Sequence, residues 1–223
     1  MANKIVVLVG FLGSVWLSPL TAQGYDELDL KNFNYNIGGG FSVPVNPTAR
    51  NFGVDGNFTT GAGTNFNSHN SIEGDFMWAG LPTAVSLLRP VNGPTGNAFL
   101  IALMGDYRLR FDHIRDSRYG VYVLGGGGWY YRHFSVDRNF VVPALTPCQP
   151  IFFWWGFACN GGFVDSRTIA THASSAGGVN GGAGFTVRMD DGWSFFAEAR
   201  YHYAWSQFIP TTLTTVTFGF RFH

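Results

Sequence analysis

The stretch Phe195 to Ser206, FFAEARYHYAWS, alternates with period two. Phe195, Ala197, Ala199, Tyr201, Tyr203 and Trp205 fall on one parity, and Glu198, Arg200 and His202 on the other. In an extended chain these parities face opposite ways, so one face is apolar and the other carries both signs of charge. The same split recurs along the chain. Asn97 to Phe111 sets Phe99, Ile101, Leu103, Tyr107, Leu109 and Phe111 against Asp106, Arg108 and Arg110, and Ser71 to Gly80 sets Ile72, Phe76 and Trp78 against Glu73 and Asp75. Asn34 to Val43 and Val179 to Met189 follow suit. With Phe58 to Asn67, Tyr119 to Phe134 and Thr212 to Phe222, the pattern predicts eight strands. An even count lets an all-β, antiparallel barrel close with both termini on one side.

Alternation alone leaves open which face is inside. Charged residues are 13% of the chain, about half of the roughly 25% of soluble domains, so charge cannot cover a water-facing surface. A transmembrane β-barrel instead encloses its polar face. Glu73, Asp75, Asp106, Arg108, Arg110, Glu198 and Arg200 then form an interior charge network. Aromatics gather near strand ends, at Phe76-Met-Trp78, Trp129-Tyr-Tyr131 and Tyr201-His-Tyr-Ala-Trp205, as interfacial girdles do. Connections alternate short and long: Ser68-His-Asn70, Asp112 to Arg118 and Asp190-Asp-Gly192 are short, and those between them are long, except Gln207 to Thr211. Short inner turns and long outer loops give this pattern.

Lys4 followed by the apolar run Ile5 to Leu17 and small residues up to Ala22 reads as an export signal over residues 1–22, with a barrel domain over 23–223. Thirteen apolar residues fall short of the about 20 that a spanning helix needs. Export permits disulfides. The only two cysteines flank the most apolar run of the chain, CQPIFFWWGFAC, in a long outer connection. A Cys148 to Cys159 bridge there would contribute about 3 kcal/mol in the chain-entropy model. Phe152, Phe153, Trp154 and Trp155 either pack over the barrel mouth or expose a patch for a partner or another copy.

The strands Asn36-Ile-Gly-Gly-Gly-Phe41, Ala197-Glu-Ala-Arg-Tyr-His-Tyr203 and Val216-Thr-Phe-Gly-Phe-Arg-Phe222 resemble those of the eight-stranded outer-membrane barrels that include the OmpA transmembrane domain and OmpW-like and OmpX-like proteins. The resemblance implies an outer-membrane location in contact with outer-membrane lipids and lipopolysaccharide, and handling by periplasmic chaperones. In this family the last strand ends on an aromatic read by the barrel-assembly machinery. Phe218, Phe220 and Phe222 keep that period, although His223 follows. Tethering to the cell wall by a further domain, the OmpA route, is not expected.

The function expected is structural or surface-interacting, with specificity in the outer loops and an unknown external partner. The alternatives are small-molecule passage of the OmpW type, which an interior lined by Asn, Glu, Asp and Arg disfavours, and a lipid acyl hydrolase resembling PagL. His133-Phe-Ser135 provides a His-x-Ser pair, but in an earlier strand than that family uses. No enzyme activity is expected. Neither is a metal site, since no histidine lies at ligand spacing from the cysteines, nor a cofactor, since Gly125 to Gly128 lacks the Lys-Ser/Thr of a phosphate loop. A net charge of zero without a basic stripe argues against nucleic acid as a partner.

Overall fold

The computed structural model describes residues 33–67, 69–84, 95–111, 118–143, 151–153, 156–158, 162–190, 192–207 and 209–222. Its strands are β1 Phe33–Pro44, β2 Asp55–Asn65, β3 Asn70–Gly80, β4 Thr95–Arg110, β5 Tyr119–Pro143, β6 Ile151–Phe153, β7 Gly156–Ala158, β8 Gly162–Asp190, β9 Trp193–Ala204 and β10 Thr211–Phe222. Eight of them close an antiparallel barrel in the order β1-β10-β9-β8-β5-β4-β3-β2, while β6 and β7 form a separate two-stranded sheet. Closure is sealed by β1 against β10, with Tyr35 opposite Phe222 and Val43 opposite Thr214. The export segment, residues 1–22, lies outside the described residues.

The barrel is inverted relative to a water-soluble one. On β4, Leu103 and Tyr107 are about half exposed on the outer wall, while Asp106 and Arg108 point inward and are almost fully buried. The same division holds on β9, where Tyr201 is outward and Glu198, Arg200 and His202 are buried. Phe41, Trp78, Val121, Trp129, Phe185, Phe218 and Phe220 extend the apolar outer wall round the barrel. Water penalises such a wall, and a hydrocarbon phase does not. The short connections and both ends of the described chain meet at one end of the barrel, the turn end; the other is the loop end.

Three expectations are corrected. The connection between Phe134 and Val179 is largely strand: β5 and β8 continue pairing past the barrel wall as far as Pro143 opposite Gly162, with a register shift at Val136/Asp137. Ser, Thr, Ala and Val there suit a strand, but from Arg167 to Ala173 residues of both parities are exposed, so the polar contrast that reveals strands is missing. Within this connection Ile151 pairs with Ala158 and Phe153 with Gly156 in a hairpin. Pro147 and Pro150 before that run and Gly161-Gly162 after it are loop signals that mask the strand character between them.

The bore, in turn, is not polar throughout. Its loop-end half is filled by Met77, Ala79, Leu81, Leu100, Ala102, Met104, Tyr130, Ala204 and Leu213, with Phe52 and Ala98 packed against them. Both parities of β3 and β4 are apolar at this level, so alternation could not show which residues faced in. Tyr130 and Met77 accordingly belong to the bore and not to an aromatic girdle. The connection after β1 folds into the mouth: Thr48, in the short 3-10 turn Thr48–Arg50, accepts a hydrogen bond from the Thr212 amide at 2.8 Å.

Candidate functional site

Inward parity on β3, β4 and β9 sends Glu73, Asp75, Asp106, Arg108, Glu198 and Arg200 to one level near the turn end, where each is at most 7% exposed. Arg200 is the centre. Its Nη1 donates to Asp106 Oδ2 at 2.6 Å, Nη2 to Asp75 Oδ2 at 2.9 Å, and Nε to Glu198 Oε1 at 2.8 Å. One guanidinium from β9 thereby meets carboxylates from β3 and β4 across the bore. Arg108 forms a second centre, pairing with Glu73 through Nη1 and with Glu198 Oε2 at 3.6 Å through Nη2. Neutral donors complete the set: Asn36 to Glu73 and Asp75, Asn180 to Asp106, and Tyr122 to Glu198. Such hydrogen bonds make a buried ion network tolerable in low dielectric. Arg110, expected in the network, is half-buried nearer the turn end.

Arg221 was missed. It is 1% exposed, its Nη2 lies 3.8 Å from Glu73 Oε2, and its guanidinium sits 5.5 Å above the Tyr122 ring and 5.2 Å above that of Phe196. Ring faces offset part of the cost of its burial. The signal was available, because Arg221 shares its parity with Thr215 and Thr217, opposite to Phe218, Phe220 and Phe222. The buried described charges are thus four carboxylates and three guanidinium groups, close to balance.

Glycines make room for the network. A side chain at Gly126 would run into Asp106 Oδ1 and the Gly105 carbonyl, and one at Gly61 into Asp75 Oδ1. Glycine on β2 and β5 is therefore what lets long charged side chains from β3 and β4 lie across the bore. Above the network, His202 is fully buried between the Tyr130 hydroxyl and Thr215 Oγ1, each 3.2 Å away.

The other expected site residues are scattered. Phe218, Phe220 and Phe222 line the outer wall of β10 next to the turn end, Phe220 edge-on to Trp193 and Phe195. His133 stacks on Phe99 with ring centroids 5.0 Å apart, and Ser135 Oγ donates to the Asn97 carbonyl at 3.4 Å. Both halves of the His-x-Ser pair are thus engaged with groups of β4. Cys148, Cys159, Trp154 and Trp155 lie outside the described residues, and of Phe152 and Phe153 only the backbone in β6 is described. Among the described residues no group of three or more His, Cys, Asp or Glu side chains is arranged to hold a metal ion.

No protein-family model matches the chain, and no curated protein matches it in sequence. Solved structures do match. Neisserial surface protein A is 13% identical, with a TM-score of 0.51 over 85% of this chain and 96% of that one. The attachment invasion locus protein Ail of Yersinia pestis is 13% identical with a TM-score of 0.45 (86% and 99% covered). OprG of Pseudomonas aeruginosa is 14% identical with a TM-score of 0.44 (86% and 95% covered). The first of these shows the fold: a closed eight-stranded barrel of the outer-membrane type.

Proposed function

We propose that the chain is a non-enzymatic, integral protein of a bacterial outer membrane, in which the barrel is a closed anchor and the loop-end segments make contacts at the cell surface. One observation carries this reading: an apolar outer wall surrounds a bore crossed by the Arg200 ion pairs to Asp75, Asp106 and Glu198. Eight strands leave an interior just wide enough for side chains to fill. The surroundings would be acyl chains and lipopolysaccharide. Export through the periplasm with chaperones, removal of residues 1–22 and insertion by the barrel-assembly machinery, reading Phe218, Phe220 and Phe222, belong to the same proposal.

The first test is gel mobility of envelope-extracted protein, unboiled against boiled. A closed detergent-resistant barrel migrates differently before heating; recovery in the soluble fraction with no shift would overturn the proposal. In planar bilayers the folded protein is expected to give no sustained conductance. Steady channels that scale with protein concentration would instead favour passage along the barrel axis, the OmpW-type alternative. Comparing lipid A acylation with and without the protein tests for acyl hydrolysis, with no change expected.

The β5 and β8 ribbon is the natural place for surface contacts. Beyond Gly177, whose carbonyl accepts from the Trp205 amide, β8 no longer pairs with the β9 side, and β4 ends at Thr95 opposite Asp137, so past that level each ribbon strand has only the other. Replacing residues 138–167 by a short Gly-Ser turn is expected to leave the heat shift intact; losing it would mean that the ribbon holds the barrel closed. The Cys148 to Cys159 bridge stands as part of this proposal. Both thiols should resist alkylation until a reductant is added, and labelling without reductant would exclude the bridge.

A further inference from the structure

At the loop end the bore opens into a cavity of about 720 Å3, within the usual range of small-molecule sites. Its apolar lining includes Phe52, Leu81, Ala98, Phe134 and Trp205, and Arg132 is its only Arg or Lys. Arg132 follows the inward parity of Tyr122, Leu124 and Tyr130 on β5 and reaches across the mouth to β10, where its Nη1 donates to Thr211 Oγ1 at 2.9 Å. Its Nε is buried and has no hydrogen-bond partner. None of the lining residues is acidic, and none of the ion pairs among the described residues involves Arg132. The contrast with the network below is sharp: Arg200 faces three carboxylates, and Arg132 a hydroxyl.

Nη1 of the guanidinium is bound to a neutral oxygen and Nε is enclosed by protein, which leaves Nη2 as the donor for a ligand in the cavity. Such a donor forms a charge-assisted hydrogen bond to a carboxylate oxygen. The surrounding apolar surface suits a hydrocarbon body attached to that headgroup. Gly177, Ser175 and the Trp205 to Gln207 segment also line the cavity, at the seam where β8 leaves β9, so it reaches the barrel wall as well as the mouth. An amphiphile could thus enter with its chain toward the membrane. We infer that the loop-end cavity binds a single-chain amphipathic carboxylate, its headgroup on Nη2 of Arg132 and its chain against Phe52, Leu81 and Ala98. This goes beyond the anchor reading and does not depend on passage through the bore.

The test uses the full mature chain in phosphatidylcholine nanodiscs, titrated calorimetrically with decanoate and, separately, with decan-1-ol, with empty nanodiscs as the blank. Saturable binding of decanoate is expected, about tenfold or more tighter than of the alcohol, the scale of one charge-assisted hydrogen-bonded contact. Arg132→Gln should remove that preference. Ser174→Phe, placed opposite Arg132 in the β5 and β8 register and facing the cavity, should weaken both ligands. Each variant is first checked for the unboiled gel shift, so loss of fold is separated from loss of site, and either variant alone decides the question if the other does not fold. Equal affinity for acid and alcohol, decanoate binding that Arg132→Gln leaves unchanged, or no heat above the blank would overturn the inference.

Discussion

Replacing Arg200 by glutamine is expected to destabilise the barrel by about 3–5 kcal/mol, the usual result of removing one member of a buried ion pair. The reason is local. Arg200 is the shared cation of Asp75, Asp106 and Glu198, and without it three carboxylates on three strands face one another in the bore with only Asn36, Asn180, Tyr122 and the more distant Arg108 to offset them. Glu198→Gln removes a charge but keeps an acceptor for Arg200 and Tyr122, so a smaller loss of about 1–2 kcal/mol is expected. Urea unfolding of refolded protein in lipid vesicles reads both. If both midpoints stayed at the wild-type value, the network would have no part in holding the barrel together.

Gly126→Val is expected to cost about 3 kcal/mol or more and in the extreme to prevent closure, because a Cβ there meets both Asp106 Oδ1 and the backbone of β4. Gly105 is the control. It lies on β4 with its outer face open, nothing within 4 Å of an added Cβ, so Gly105→Val should leave the midpoint unchanged or raise it by a fraction of the about 1 kcal/mol span of strand propensity. The two positions are one register step apart, Gly105 facing Gly127. A barrel with the opposite sidedness would reverse the ranking: Gly105→Val would be the damaging change and Gly126→Val the harmless one.

What could be read from the residues follows from contrast. Where one face of a strand meets hydrocarbon and the other a buried charge, as along Glu198 to Tyr201 or Asp106 to Leu109, each residue announces its side, and the eight barrel strands and six of the seven expected charges emerge at one level of the bore. Where both faces are apolar, as at Met77, Ala79, Ala102 and Met104, or both mix polar and small apolar residues, as in β8 from Arg167 to Ser175, nothing in the alternation distinguishes them. The apolar upper bore and the ribbon were invisible for that reason. Arg221 is hidden differently: the aromatic period of Phe218, Phe220 and Phe222 dominates the strand and masks the one charge between them. Arg132 lies between Tyr131 and His133, with nothing in the sequence to single it out, and only the fold shows its side chain reaching Thr211 across the mouth.

The central claim is that the aromatic wall faces lipid. Variants that keep only Trp78 or only Trp129, both outward and about two-fifths exposed, can be reconstituted in vesicles whose acyl chains carry bromine. Strong quenching by the brominated chains with little quenching by aqueous acrylamide is the expected result. Quenching by acrylamide with no effect of the brominated chains would place these tryptophans in water and contradict the inverted barrel.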